Sequence, residues 1–94
     1  MKKVVVTRHP ALVEYLLHIG MIDSRAEVVT HASPDVVRGK HVVGILPLDL
    51  AALTASITTV PLDLPVDLRG VELTLEQVKA HAGTPKTYVV KEVA

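Results

Sequence analysis

The stretch KVVVTRHP at residues 3–10 decides the fold of this 94-residue chain. Its β-branched run, Lys3–Thr7, is typical of a strand that is buried on both faces. Pro10 favours the first turn of a helix, where a missing N–H costs nothing, and apolar residues recur at helical spacing up to Gly20. The stretch therefore predicts a strand that leads directly into a helix.

The rest of the chain repeats this alternation of strands and helices. The sequence predicts further strands at Ala26–Thr30, His41–Ile45, Thr58–Leu62 and Thr87–Val93, a second helix after Pro47, and a third helix from a capping box at Thr74 to about Gly83. The link between the second and third strands is too short for a helix, and an extended passage or a hairpin both fit it. Pro61 favours an edge position for the fourth strand, or the end of that strand.

The order of these elements predicts the fold class. Continuous Val- and Ile-rich strands that alternate with helices are typical of an α/β fold. We therefore expect a mostly parallel sheet covered by helices, forming a single small domain over residues 1–94.

Composition excludes several classes of protein. Ten Lys and Arg balance ten Asp and Glu, so a general attraction to long nucleic acids is not built in. The absence of cysteine excludes a disulfide scaffold and a thiolate metal site. No apolar run is long enough to span a membrane, and the run that follows Met1-Lys2-Lys3 is too short for a signal peptide. We expect a cytoplasmic protein, and the near-zero charge favours a homodimer.

Two stretches are candidates for the functional site, because ligands of open α/β sheets bind beyond the carboxyl ends of the strands. Thr7–Pro10 lies at the carboxyl end of the first predicted strand, and Gly44–Pro47 lies at that of the third. Each leads into a helix whose N-terminus carries a partial positive charge that suits an anion such as phosphate. Arg8 either contacts that anion or forms an ion pair with Asp49 or Glu72. His9 either caps the helix or moves a proton, which histidine does near neutral pH.

The segment 63–73 allows two interpretations. It is either a surface loop in which Arg69 pairs with Glu72 or Asp67, or a flap that supplies Arg69 to a ligand. Neither metal-ligand spacing nor a glycine-rich nucleotide motif occurs, so we expect no metal and no cofactor.

Several blocks of the sequence resemble a known family. They are Val6–Pro10, His31, Gly44–Pro47 with residues 50–52, Asp63–Pro65, and residues 69–73. Together they resemble small CRISPR-associated accessory proteins of type III systems, in the Csx group. The resemblance spans nearly the whole chain, although Asp49 stands where that family often has Asn. It implies a Rossmann-like (CARF-like) fold and a homodimer.

The resemblance also implies an activity. It implies a ring nuclease, which cleaves cyclic oligoadenylate, above all cyclic tetra-adenylate, by in-line attack of a ribose 2′-OH and without a metal. Arg8 and His9 would be catalytic, and the ligand contacts would be Thr7, Pro10, Gly44, Leu46, Pro47, Asp49, Arg69 and Glu72. A module that binds cyclic oligoadenylate without cutting it fits the same residues. A phosphatase-like enzyme that uses His9, and a structural subunit without a ligand, are the remaining alternatives.

Overall fold

The computed structural model describes residues 3–94, which contain one five-stranded sheet. The strands are β1 (Lys3–Val6), β2 (Glu27–Val29), β3 (His41–Gly44), β4 (Ser56–Thr59) and β5 (Lys86–Tyr88). The helices are α1 (Pro10–His18), α2 (Pro34–Val37), α3 (Leu48–Ala51) and α4 (Leu75–His81), with a 3₁₀ turn at Val66–Leu68. None of these helices has the length and apolar character needed to cross a membrane.

The strand order is β2-β1-β3-β4-β5, and every pairing is parallel except that of β4 with β5. This confirms the predicted mostly parallel α/β sheet, and the arrangement is compatible with a Rossmann-like fold. The chain leaves β1 for β2 on one side and returns to β3 on the other side. The point where the strand order reverses therefore lies between β1 and β3, and Val6 pairs there with Gly44.

Helices cover both faces of the sheet, as the continuous valine runs predict. Helices α1 and α4 pack over the face that carries Val5 and Val43. The opposite face carries Val4 and Val42, which pack with Val37 of α2 and with apolar side chains in and after α3. Because alternate residues of one strand point to opposite faces, burial of consecutive valines requires both layers.

The predicted link between the second and third strands is wrong, because it contains the helix α2. Strands β2 and β3 are also not neighbours, since β1 lies between them, and this excludes a hairpin. A single turn is enough for this helix: Pro34 stands in its first turn, and the Ser33 carbonyl accepts the N–H groups of Val36 and Val37 at 3.1 and 3.2 Å. Val37 is completely buried, so packing stabilises a helix too short to be stable alone.

The end of β4 also differs from its prediction. The strand covers Ser56–Thr59 rather than Thr58–Leu62, and Pro61 lies beyond it. Proline has no N–H for the ladder, so it follows the strand, and β4 is not an edge strand. The edge strand on this side of the sheet is β5, which has three residues instead of the predicted seven.

The capping box that predicts the third helix is confirmed at the start of α4. Thr74 Oγ1 accepts the Gln77 N–H at 3.2 Å, and Gln77 Oε1 accepts the Thr74 N–H at 2.9 Å. These two bonds satisfy N–H groups that the first turn of a helix leaves without partners. The helix that begins there, α4, packs against α1.

Candidate functional site

A cavity of about 580 Å³ opens at the carboxyl ends of β1, β3 and β4. It is lined by Val6, Thr7, His9, Leu12, Val43, Gly44, Ile45, Thr59, Val60, Pro61 and Leu62. This volume is within the ordinary range for small-molecule sites, about 300–1,000 Å³. The cavity lies where the strand order reverses, which is where open α/β sheets bind their ligands.

Gly44 allows β1 and β3 to approach closely beside this cavity. Its φ is +146°, a conformation that residues with a side chain rarely adopt. A Cβ atom at this position would overlap the Val6 carbonyl oxygen and lie 3.3 Å from the Val6 carbonyl carbon. Glycine is therefore required here by backbone conformation and by space, and this confirms that the first and third strands end side by side.

The turn from β1 to α1 places two polar side chains on the cavity. Thr7 Oγ1 accepts the His9 backbone N–H at 3.1 Å, and the Thr7 N–H donates to the Val29 carbonyl at 3.1 Å. The Thr7 hydroxyl still has its own proton to donate. His9 occupies the N-cap position of α1, but its side chain makes no capping hydrogen bond. The interpretation of its imidazole as a cap is therefore wrong, and His9 is one of the residues that line the cavity.

Arg8 lies between these two residues and is exposed to solvent. It does not line the cavity. The ion pairs found among residues 3–94 are Arg25–Asp23 and Lys79–Glu76. The predicted pairing of Arg8 with Asp49 or Glu72 is therefore not formed, and Arg8 is an exposed residue between two that line the cavity.

Some predicted contact residues lie outside the cavity lining. They are Pro10, Leu46, Pro47, Asp49, Arg69 and Glu72. The helix after Pro47 is α3, which has four residues. Of the two helix N-termini expected at the site, that of α1 therefore remains as the N-terminus of a substantial helix, with nine residues.

The segment 63–73 packs onto the core. Leu73 is buried, and Leu64 and Leu68 pack against the cluster that contains α1 and α4. Arg69 Nε donates to the Leu64 carbonyl at 3.2 Å, and no ion pair of Arg69 with Glu72 or Asp67 is found among residues 3–94. The segment is therefore a packed loop, and the Arg69 side chain stabilises the turn of this loop through that hydrogen bond.

Sequence reasoning missed the wall that β4 contributes. Thr59, Val60, Pro61 and Leu62 line the cavity, but the prediction extends the fourth strand over them. Pro61 is the sequence signal that could have located this wall. If the fourth strand ends before Pro61, then Thr59 lies at its carboxyl end, one strand away from Gly44. Together with Leu12 and Val43, these residues make the lining mainly apolar.

A second, larger cavity of about 730 Å³ lies beside the start of β1 and the end of α1. Its cationic side chains already have partners, because Lys3 Nζ donates to the Met21 carbonyl at 2.6 Å and Arg25 pairs with Asp23. It is at the amino end of the parallel strands, so we assign the candidate site to the smaller cavity.

The family of the chain is shown by comparison with known proteins. A family model described as "Putative CRISPR-associated protein (Cas_VVA1548)" matches residues 4–91. The chain belongs to this family. The match covers β2 to β5, all of β1 except Lys3, and the whole cavity lining of this CRISPR-associated protein. It confirms the CRISPR association that the sequence blocks imply. No significant match was found among curated proteins or among solved structures.

Proposed function

We propose that this CRISPR-associated protein is a ring nuclease that cleaves cyclic oligoadenylate, above all cyclic tetra-adenylate, and thereby switches off type III CRISPR signalling. The observation that supports this most is the cavity at the reversal of strand order, with Thr7 and His9 on its surface. Membership of a CRISPR-associated family makes a signalling nucleotide a fitting ligand.

Local geometry supplies what a phosphodiester needs in a protein with no net charge. The N-terminus of α1 directs a partial positive charge towards the Thr7–His9 turn. Thr7 can donate its hydroxyl proton, and Arg8 can reach over the mouth of the cavity from an exposed position. These groups bind an anion without a basic surface.

The reaction needs no external nucleophile. The ribose 2′-oxygen forms a bond to the adjacent phosphorus while the bond from phosphorus to the 5′-oxygen breaks. The 2′-OH loses its proton and the departing 5′-oxygen gains one, so the product ends in a 2′,3′-cyclic phosphate and a 5′-OH. We assign proton transfer to His9 and stabilisation of the charged phosphate oxygens to Arg8. The cavity walls hold the sugar in line for the attack.

The apolar wall suits the adenine bases. Leu12, Val60 and Leu62 present aliphatic surface. The two tyrosines of the chain, Tyr15 and Tyr88, do not line the cavity, so stacking on tyrosine does not hold the bases there. Aliphatic contact and backbone hydrogen bonds take that role.

We further propose that a ring is shared by a homodimer. A cyclic tetra-adenylate can adopt two-fold symmetry, which is also the symmetry of the commonest homodimers. Ile45 lines the cavity with 79% of its surface exposed, and Leu48 in α3 is 77% exposed. Contact with a second copy at the mouth of the cavity would cover these apolar side chains.

Single-turnover cleavage of labelled cyclic tetra-adenylate in EDTA, followed by chromatography, tests the proposal. We expect linear products that end in a cyclic phosphate. Arg8→Ala should lower the rate by roughly 10²–10³-fold, and His9→Ala by about 10²-fold. The matched controls are Arg25→Ala and His18→Ala, which remove exposed side chains outside the cavity. Wild-type rates for both site variants would refute the assigned roles.

A second candidate is a module that binds the ring without cutting it. The observation that favours it is the lining itself, in which His9 is the one ionisable side chain and aliphatic groups predominate. A stoichiometric complex that yields no product over hours in the same assay would select this function. Failure of both cleavage and binding would refute both candidates.

A further inference from the structure

The outer edge of the sheet at β5 continues into an unpaired segment with the composition of a strand. Strand β5 is last in the strand order and pairs with β4 alone. Residues 89–94 follow it without regular structure, and Val89 and Val93 are 78% and 92% exposed. The strand pattern in the sequence runs to Val93, whereas β5 ends at Tyr88. The residues of this pattern beyond Tyr88 therefore pair with no other strand among residues 3–94.

We propose that residues 86–92 pair antiparallel with the same residues of a second copy of this chain, centred on Val89. A two-fold axis between antiparallel strands is perpendicular to the sheet, so a residue and its copy lie on the same face. Directly opposed residues also share a face, and side chains alternate along a strand. The sequence numbers of two directly opposed residues, one from each copy, must therefore differ by an even number.

Charge then selects one register among those that symmetry allows. Centring on Val89 places Lys86 opposite a glutamate, Glu92 of the partner subunit, and this pair occurs twice. It also places Tyr88 opposite a β-branched residue, Val90 of the partner subunit, which is a favourable cross-strand pair. Centring on Lys91 or Glu92 instead opposes identical charges. In this segment no other even register opposes a lysine to a glutamate.

A lysine on an edge strand is also a common device against pairing. A lysine acts against pairing in this way when it meets another positive charge on the approaching edge strand. Here the symmetric approach brings Lys86 to a carboxylate, so the segment 86–92 is self-complementary and does not repel its own copy.

This edge contact differs from the contact that would share a ring. Antiparallel pairing of β5 points the carboxyl ends of the two sets of parallel strands in opposite directions. The two cavities then lie at opposite ends of a ten-stranded sheet. The inference therefore does not depend on the proposed function, and its tests measure association only.

Cysteine cross-linking tests the register, because the chain contains no cysteine of its own. In Val89→Cys the two Cα atoms would be about 4.5–5.5 Å apart, within the range that a disulfide spans. The control is Val93→Cys, which is more exposed but four residues from the axis, so that its copies are about 27 Å apart. Under mild oxidation we expect most of the Val89→Cys protein, and little of the control, to run as a non-reduced dimer. Equal cross-linking of the two variants, or none at position 89, would overturn the proposal.

Exchange of charge gives a second test by analytical ultracentrifugation. Lys86→Glu and Glu92→Lys should each raise the dimer dissociation constant by roughly tenfold, since either change opposes like charges twice. The double variant restores opposite pairs and should associate as the wild type does. Both positions are exposed, so circular dichroism should show that every variant is folded. A double variant that stays as weak as the single ones would refute the register, and a wild-type dimer unaffected by either change would refute the contact.

Discussion

Replacing Gly44 with alanine tests the close approach of β1 and β3 beside the cavity. Two costs are expected. A φ of +146° is unfavourable for a residue with a side chain, by about 1–3 kcal/mol. The new Cβ would also overlap the Val6 carbonyl oxygen, and relief of such overpacking costs about 1–3 kcal/mol more. The sum is a large part of the roughly 5–14 kcal/mol that stabilises a domain of this length.

Gly39→Ala is the matched control. Gly39 also has a positive φ, +70°, but no atom lies within 4 Å of the Cβ that alanine would add. This variant therefore has the backbone cost alone, about 1–2 kcal/mol. The difference between the two variants measures the overlap with Val6 together with any difference between the backbone costs at φ values of +146° and +70°.

Thermal and urea unfolding, followed by far-UV circular dichroism, give that difference. A further loss of about 2 kcal/mol in Gly44→Ala corresponds to a melting temperature roughly 8–16 °C below that of the control. If the two variants unfold within about 0.5 kcal/mol of each other, contact with Val6 is not what requires glycine at this position.

The remaining predictions concern stability and use the same unfolding assay. Thr74→Ala removes the capping box of α4 and should cost about 1 kcal/mol; an unchanged midpoint would show that the box adds nothing to packing. Leu16→Ala leaves a cavity at a completely buried position and should cost about 2–5 kcal/mol, whereas a loss below 1 kcal/mol would mean that the core closes over the gap. Arg25→Ala removes an exposed ion pair with Asp23 and should change stability by less than about 0.5 kcal/mol; a larger loss would contradict its exposure.

The fold was predictable where local chemistry and tertiary packing agree. The valine run of β1, the proline at the start of α1 and the capping box at Thr74 each specify one element through short-range physics. Helix α2 was not predictable in this way. Its single turn is stable because Val37 is buried against Val42 of β3 and against Val4, which is distant in sequence.

Part of the candidate site was predictable for the same reason. Thr7 and His9 follow β1, and Gly44 ends β3; both strands were placed correctly, so the rule for carboxyl ends locates these residues. Thr59 and Leu62 were missed because the apolar run after Thr58 continues past the end of the hydrogen-bonded ladder. The pattern of apolar residues indicates which side chains are buried, but it does not indicate where the backbone hydrogen bonds of the sheet end.

The strand order has a consequence for synthesis of the chain on the ribosome. Strand β1 emerges first, yet one of its two neighbours, β3, begins at His41, and the helix that completes the cover of Val5 ends at His81. Among the first four strands every pairing is parallel, so no early hairpin can nucleate the sheet. A nascent chain must therefore keep the valine-rich strand β1 from aggregating until α4 has been translated, and folding should be slow for a sheet whose first four strands pair with one another only in parallel.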